Sequence, residues 1–254
     1  MTFNALSHVL ALNPFIPLFL ICHFLADFHL QSQLVADLKE KEFSYLLRHL
    51  CHVAWPLILL GLLQPIVWPA VVVIFLSHAL LDGLKPLLKR LLNCSDKLYF
   101  SLDQLIHLTV SLGLALNLSQ EGAILATQLG SWNRIPNMIL FFLLITKPAN
   151  IAFRVYFGKY QPAKLVLKND QVLQKQDMQA TIAGAGATIG ILERVVMGIC
   201  ILFGQFASIG LVFTAKSIAR YNKISEDPAF AEYYLIGSLF SILTVLLAAW
   251  ICIF

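Results

Sequence analysis

Charge is what this chain has least of. Only 13% of its 254 residues are Asp, Glu, Lys or Arg, about half the share of a typical soluble domain. Hydrophobic residues make up 59%, and the mean hydropathy is +0.78. A water-soluble domain is excluded, and the chain reads as an integral membrane protein. No Lys or Arg precedes the first apolar run and no small-x-small cleavage site follows it, so that segment reads as retained and not as a signal peptide. The five cysteines (Cys22, Cys51, Cys94, Cys200, Cys252) form no C-x-x-C pair. They give no disulfide framework and read as reduced, buried thiols. Nucleotide loop, exposed Ser or Cys dyad, haem motif, internal repeat and low-complexity tract are all missing; Gly184, Gly186 and Gly190 follow no strand and read as a flexible or closely packed junction. The net charge of +4 suits an anionic leaflet and is far too small for a nucleic-acid surface.

What is present is apolar length. A span needs about 20 apolar residues, which places crossings near 14–31, 43–63, 65–85, 98–118 and 135–157, with further apolar stretches near 188–212 and 230–253. The expected fold is an all-α polytopic transmembrane helix bundle of six to seven membrane segments. Three regions follow: a five-helix bundle over 1–157, a polar connecting segment over 158–187, and C-terminal membrane helices over 188–254. Lys39, Lys41 and Arg48 flank the first connection, Lys85, Lys89, Arg90 and Lys97 the third, and Arg154, Lys159, Lys164, Lys168 and Lys175 the fifth. The second has none and the fourth only Arg134. The positive-inside rule therefore puts connections one, three and five in the cytoplasm and the N-terminus outside. Lys216, Arg220 and Lys223 break this rule if 188–212 crosses fully. They obey it if the stretch turns back near Gly204 and Gly210 as a re-entrant hairpin near 190–215, which buried backbone permits. The sequence leaves both open.

Four of the apolar helices carry His and Asp in their interiors: His23-x-x-x-Asp27, His49-x-x-His52, His78-x-x-x-Asp82 and Asp103-x-x-x-His107. Residues four apart share a helix face, so each His/Asp pair points one imidazole and one carboxylate the same way. Three unpaired aspartates at the bilayer centre would cost roughly 8–10 kcal/mol. In the topology above, all four motifs fall in one layer, in the cytoplasmic half of the bilayer. Imidazole and carboxylate together are ligands for divalent metals. The metal candidates are His23, Asp27, His49, His52, His78, Asp82, Asp103 and His107, holding one or two ions, with zinc ahead of manganese or iron. His52, turned about 60° from His49, is the weakest of the eight. A proton or ion relay is the alternative use of such residues, and a structural polar network is the third. Gln31 and Gln104 are placed to hydrogen-bond ligands or substrate. His29 lies off the His23/Asp27 face and reads as a solvated interfacial residue.

A second cluster is cationic. Lys216 and Arg220 are four apart, Glu193 and Arg194 start the sixth apolar stretch, and Glu232 lies beside Tyr233 and Tyr234. Helix-end Lys and Arg commonly snorkel to headgroups. The sharper reading is an anion site in which Arg194, Lys216, Arg220 and Lys85 hold a phosphate or carboxylate while Glu193 or Glu232 orients them.

The runs HFLADFHLQ, RHLCH, SHALLDGLK and LDQLIH resemble the bacterial inner-membrane proteins catalogued as domain of unknown function 3307. GATIGILER, AKSIARYNK and EYYLIGSL are similar to the C-terminal half of its longer members, so the resemblance covers nearly the whole chain. It implies a bacterial inner-membrane location and no settled activity. A looser likeness, through the His and H-x-x-x-D pattern, is to LexA-regulated membrane-bound metal-dependent hydrolases, whose His-rich segment is spaced differently from RHLCH. The expected function is a metal-dependent hydrolase acting at the cytoplasmic leaflet on a lipid-linked or amphipathic phosphoester. The alternative is a divalent cation or proton transporter using the same ligands. No Asp or Glu lies in the outward half of the first five spans, which favours a one-sided site. Membrane lipids and a lipid phosphate are the expected partners. A cytoplasmic protein docking on the KLVLKNDQVLQKQ run is a third reading, and homo-oligomerisation is left open.

Overall fold

A computed structural model describes residues 5–92, 95–161 and 184–254. Every regular element among them is helical, because in hydrocarbon a helix is one of the few structures that satisfy their own backbone polar groups. The α-helices are α1 (Ala5–Leu12), α2 (Phe15–Phe24), α3 (Gln33–Leu38), α4 (Phe43–Leu63), α5 (Trp68–Leu92), α6 (Asp96–Asn117), α7 (Ser119–Leu129), α8 (Ile135–Ile145), α9 (Lys147–Phe157), α10 (Ala185–Leu202), α11 (Phe206–Ala219), α12 (Tyr221–Glu226) and α13 (Pro228–Cys252). Among the described residues six helical stretches are long and apolar enough to cross a membrane, and a seventh if the bent pair α1–α2 is one span. The protein is a polytopic, all-α membrane protein. Trp55, Leu62, Leu76, Leu80 and Leu116 are exposed. In water such a surface would be a liability; in lipid it is the solvated face.

Packing divides the chain into two compact units, one comprising Met1–Pro148 with Leu247–Phe254, the other Ala149–Leu246. In the first unit α2 lies against α4, α6 and α8, while α5 packs on α4 and α6. Phe15, Phe19, Leu57, Leu140, Phe141 and Ile145 are almost wholly enclosed between them. The four helices that carry the His/Asp motifs therefore share one core.

Three local features position the site. The first is a 99° bend between α1 and α2. Buried Asn13 donates from its amide to the Ala115 carbonyl at 2.7 Å, and its Oδ1 accepts from the Phe15 N–H at 3.2 Å, so polar groups freed at the bend are satisfied. Second, α2 continues as a π-helical turn over Leu25–Leu30. Such turns are frequent at functional sites, and Asp27 is inside this one. Third, the connection after it folds as α3. Ser32 caps it by accepting from the Val35 N–H at 3.3 Å, and buried Val35 anchors it on α4. Lys39 is its C-cap residue.

Two stretches differ from the spacing-based expectation. The connection between 118 and 135 contains α7, ended by Gly130 at φ +54°. The crossing placed over 135–157 is two helices, broken at Thr146 just before Lys147-Pro148; Pro148 donates no backbone hydrogen bond across the break.

In the second unit α10 and α11 are joined at Phe203–Gln205, where Gly204 takes φ +68°. They pack on each other, and Lys216 of α11 reaches Glu193 of α10 at 2.8 Å. These two residues lie nearly equidistant from Gly204, which is hairpin geometry. The structure thus supports the returning form of this stretch. Cys94, Lys164, Lys168, Lys175 and the KLVLKNDQVLQKQ run lie outside the described residues.

Candidate metal centre

Four donor atoms meet in the first unit: His49 Nε2 from α4, His78 Nε2 and Asp82 Oδ2 from α5, and Asp27 Oδ1 from the π-helical turn. His49 Nε2 lies 3.1 Å from His78 Nε2, 2.8 Å from Asp82 Oδ2 and 3.6 Å from Asp27 Oδ1. His78 Nε2 lies 3.3 Å from Asp82 Oδ2 and 3.4 Å from Asp27 Oδ1. A tetrahedral zinc site with bonds of 2.0–2.1 Å has donor-to-donor edges of about 3.3–3.4 Å. The five distances, each made by an imidazole nitrogen, scatter around that value.

Hydrogen bonding alone does not account for the arrangement. If both imidazoles carry a proton on Nε2, two N–H groups confront each other across 3.1 Å. If one does not, its lone pair faces carboxylate oxygens. Asp27 Oδ1 is buried with no hydrogen-bond partner, although its side chain is only 8% exposed. An unsatisfied buried carboxylate oxygen is costly. A cation between the four atoms would satisfy all of them, and the residues fit a divalent metal.

Around this cage lies a second ring. His23 Nδ1 is 3.9 Å from Asp27 Oδ2, and its Nε2 is 3.1 Å from Gln104 Oε1. The His107 ring stacks on that of His78 with centroids 4.2 Å apart, and its Nε2 lies 3.7 Å from Asp103 Oδ1. Two further sets of three donors come within mutual ligand range: His23, Asp27 and His78, and Asp82, Asp103 and His107. A cavity of about 10 Å³, lined by His23, His78, His107, Ser77, Ser111 and Cys22 among others, is room for one water at most.

Seven of the eight predicted metal residues therefore converge. His52 is the exception: it joins none of the donor sets, and its Nδ1 is buried without a hydrogen-bond partner. Gln104 is in the cluster, donating also to Asp103 Oδ2 at 3.4 Å, whereas the Oε1 of Gln31 is buried and unpartnered. His29 is half-buried and its ring is held within the protein, Nδ1 lying 3.2 Å from the Phe24 carbonyl oxygen. Its Nε2 is 3.0 Å from the Thr146 hydroxyl, and its backbone carbonyl accepts from Lys147 at 3.0 Å.

Two lysines complete the site. Lys85 Nζ lies 3.6 Å from Asp82 Oδ1 and 3.0 Å from Asp103 Oδ2, so the candidate anion-binding lysine is part of the His/Asp cluster. Lys39, which the sequence marked only as a topology signal, reaches Asp82 Oδ2 at 3.0 Å. Nothing in its local pattern pointed here, because it comes from a connection whose path is set by Ser32 and Val35.

The cationic cluster of the second unit is a separate network. Lys216 Nζ pairs with Glu193 Oε2 at 2.8 Å and lies 3.4 Å from Ser238 Oγ. Arg194 donates to the Ser241 hydroxyl at 3.3 Å and to Asn150 Oδ1. Arg220 lies over the Phe230 ring, and Glu232 is exposed.

The whole His/Asp cluster falls within one recognisable region. Residues 15–134 match the family described as "Protein of unknown function (DUF3307)". The matched DUF3307 region contains all eight predicted metal residues together with Lys39 and Lys85. It ends before the second unit, so the C-terminal part of the resemblance read from the sequence is outside the match. No curated protein and no solved structure matches the chain.

Proposed function

We propose that the first unit binds one divalent metal ion, zinc being the best match to the donors, and hydrolyses an ester bond in an amphipathic substrate drawn from the lipid phase. Asp27, His49, His78 and Asp82 hold the ion. His23, Asp103, His107 and Gln104 orient these ligands and shield them, as outer partners of a metal site do. When bound, such an ion supplies a Lewis acid and a water made acidic enough to act near neutral pH. The observation that carries this reading is the spacing of the two imidazole nitrogens from each other and from the Asp27 and Asp82 oxygens, 2.8–3.6 Å.

One ion is favoured over two. The group formed by Asp82, Asp103 and His107 has the ammonium of Lys85 within 3.6 Å of both its carboxylates. A fixed cation there does the electrostatic work of a second metal and repels one. The row of imidazoles, His107 stacked on His78 and His49 tilted against His78 with centroids 5.3 Å apart, favours a second reading, proton or cation transfer through the same residues. No Asp or Glu lies in the outward half of the first five expected spans, so charged groups form no path to the other face, and this supports the hydrolase ahead of transfer. The proposed setting is a bacterial inner membrane, with the N-terminus outside and the cluster in the cytoplasmic half.

Metal content by mass spectrometry on detergent-purified protein tests the proposal. The native chain should hold close to one zinc, manganese or iron ion, and His78→Ala should lose it. A native protein that stays metal-free after reloading sinks the hydrolase and moves transfer to the front.

A further inference from the structure

The two lysines at the cage carry an inference that rests on the metal reading above and names the substrate's chemistry. Asp27, Asp82 and Asp103 bring three negative charges, and Lys39 and Lys85 return two positive ones. With neutral imidazoles, one negative charge is left over. A divalent ion in the cage converts that deficit into one surplus positive charge, held where little water screens it: the lysine side chains are 8% and 11% exposed. Both ammonium groups lean on Asp82, one on each oxygen. Asp82 is also a cage ligand, and a carboxylate that gives its charge to a metal holds an ammonium far less strongly.

Neither lysine is free to swing far away. Lys85 stands on α5 one turn beyond Asp82, and its backbone carbonyl accepts from the Tyr99 hydroxyl at 3.3 Å. Lys39 ends α3, whose Val35 is clamped in the core. Lys39 would then face the metal with its carboxylate partner weakened, and Lys85 would face it from a different element with Asp103 as its remaining partner.

We propose that Lys39, Lys85 and the metal together form a phosphate subsite, which binds its anion only when the metal is present. The ligand class follows from the geometry. Three separate cations, each a point charge, are best matched by an anion with three oxygens pointing in different directions, since a carboxylate must share one oxygen between two of them, as Asp82 does. A phosphoryl group has them and a carboxylate has two. Lysine is a common phosphate partner used in this way, as a point charge and not as a planar fork. The phosphate belongs either to a lipid headgroup or to a small soluble molecule.

The test is binding, not turnover. Detergent-purified protein, loaded with zinc and separately stripped of it, is titrated calorimetrically with inorganic phosphate; in parallel, both forms in lipid nanodiscs are assayed for phosphatidic acid retention. The zinc-loaded native protein should bind one of these probes at least tenfold more tightly than the stripped form. Lys39→Ala should lose that gain while keeping its zinc, and Lys39→Arg should restore most of it. Binding of inorganic phosphate marks a soluble phosphate as the ligand, and binding of phosphatidic acid alone marks a headgroup. If zinc binds but neither probe does, or if Lys39→Ala binds as tightly as native protein, the subsite is wrong while the metal centre stands. If zinc does not bind at all, both fall.

Discussion

Asp82 concentrates the chemistry of this site: one oxygen serves the cage and Lys39, the other Lys85. Its neighbour Lys85 gives a prediction in the opposite direction from a simple knockout. Removing that ammonium in Lys85→Ala leaves Asp82, Asp103 and His107 as a donor set without the cation that bridges its two carboxylates, Asp82 keeping only Lys39. Metal content should rise from one ion per chain to nearly two, measured by mass spectrometry after dialysis against zinc. One ion in both proteins would show that Lys85 excludes nothing. At this scale the sequence was partly legible. His78 and Asp82, and Asp103 and His107, announce themselves because four residues make one helical turn. Lys39 does not, since its partner is 43 residues away and its position depends on how a short connection folds. His52 failed for a related reason: three residues from His49, it shares the sequence motif without sharing the direction.

At the scale of elements, periodicity located the spans and missed their interruptions. The bend at Asn13, the π-helical turn under Asp27 and the break at Thr146 keep the apolar pattern intact, so hydropathy passes over them. The bend carries its own test. A Cβ added at Gly122 of α7 would lie 2.1 Å from Asn13 Oδ1 and 3.3 Å from the Asn13 Cα. Asn13 would have to move, breaking its hydrogen bonds to Ala115 and Phe15. Gly122→Ala should therefore cost about 1–3 kcal/mol, the usual penalty for overpacking. Thermal unfolding in detergent should show a clear drop. Gly113→Ala is the matched control, since nothing lies within 4 Å of its added Cβ, and it should leave the transition where it is or raise it slightly. Equal behaviour of the two variants would mean that the α1–α2 bend does not depend on this contact.

For the whole molecule the open question of the sequence was the course of the chain after residue 188, because two physical rules disagreed there. Hydropathy favoured a full crossing, whereas the positive-inside rule wanted Lys216, Arg220 and Lys223 on the cytoplasmic side. The pairing of Glu193 with Lys216 removes the conflict. It is reached only if α11 runs back along α10, which returns all three basic residues to the side from which α10 started. Single cysteines probed with a membrane-impermeant thiol reagent on intact cells read this directly, judged against the background of the parent protein. Gln64→Cys, in the connection without basic residues, should be labelled in intact cells. Lys41→Cys and Lys223→Cys should be labelled only after lysis. Labelling of Lys223→Cys in intact cells, with Lys41→Cys still protected, would mean that the 188–212 stretch crosses. It would also place Lys216 on the opposite face from the start of α10, where it could not reach Glu193.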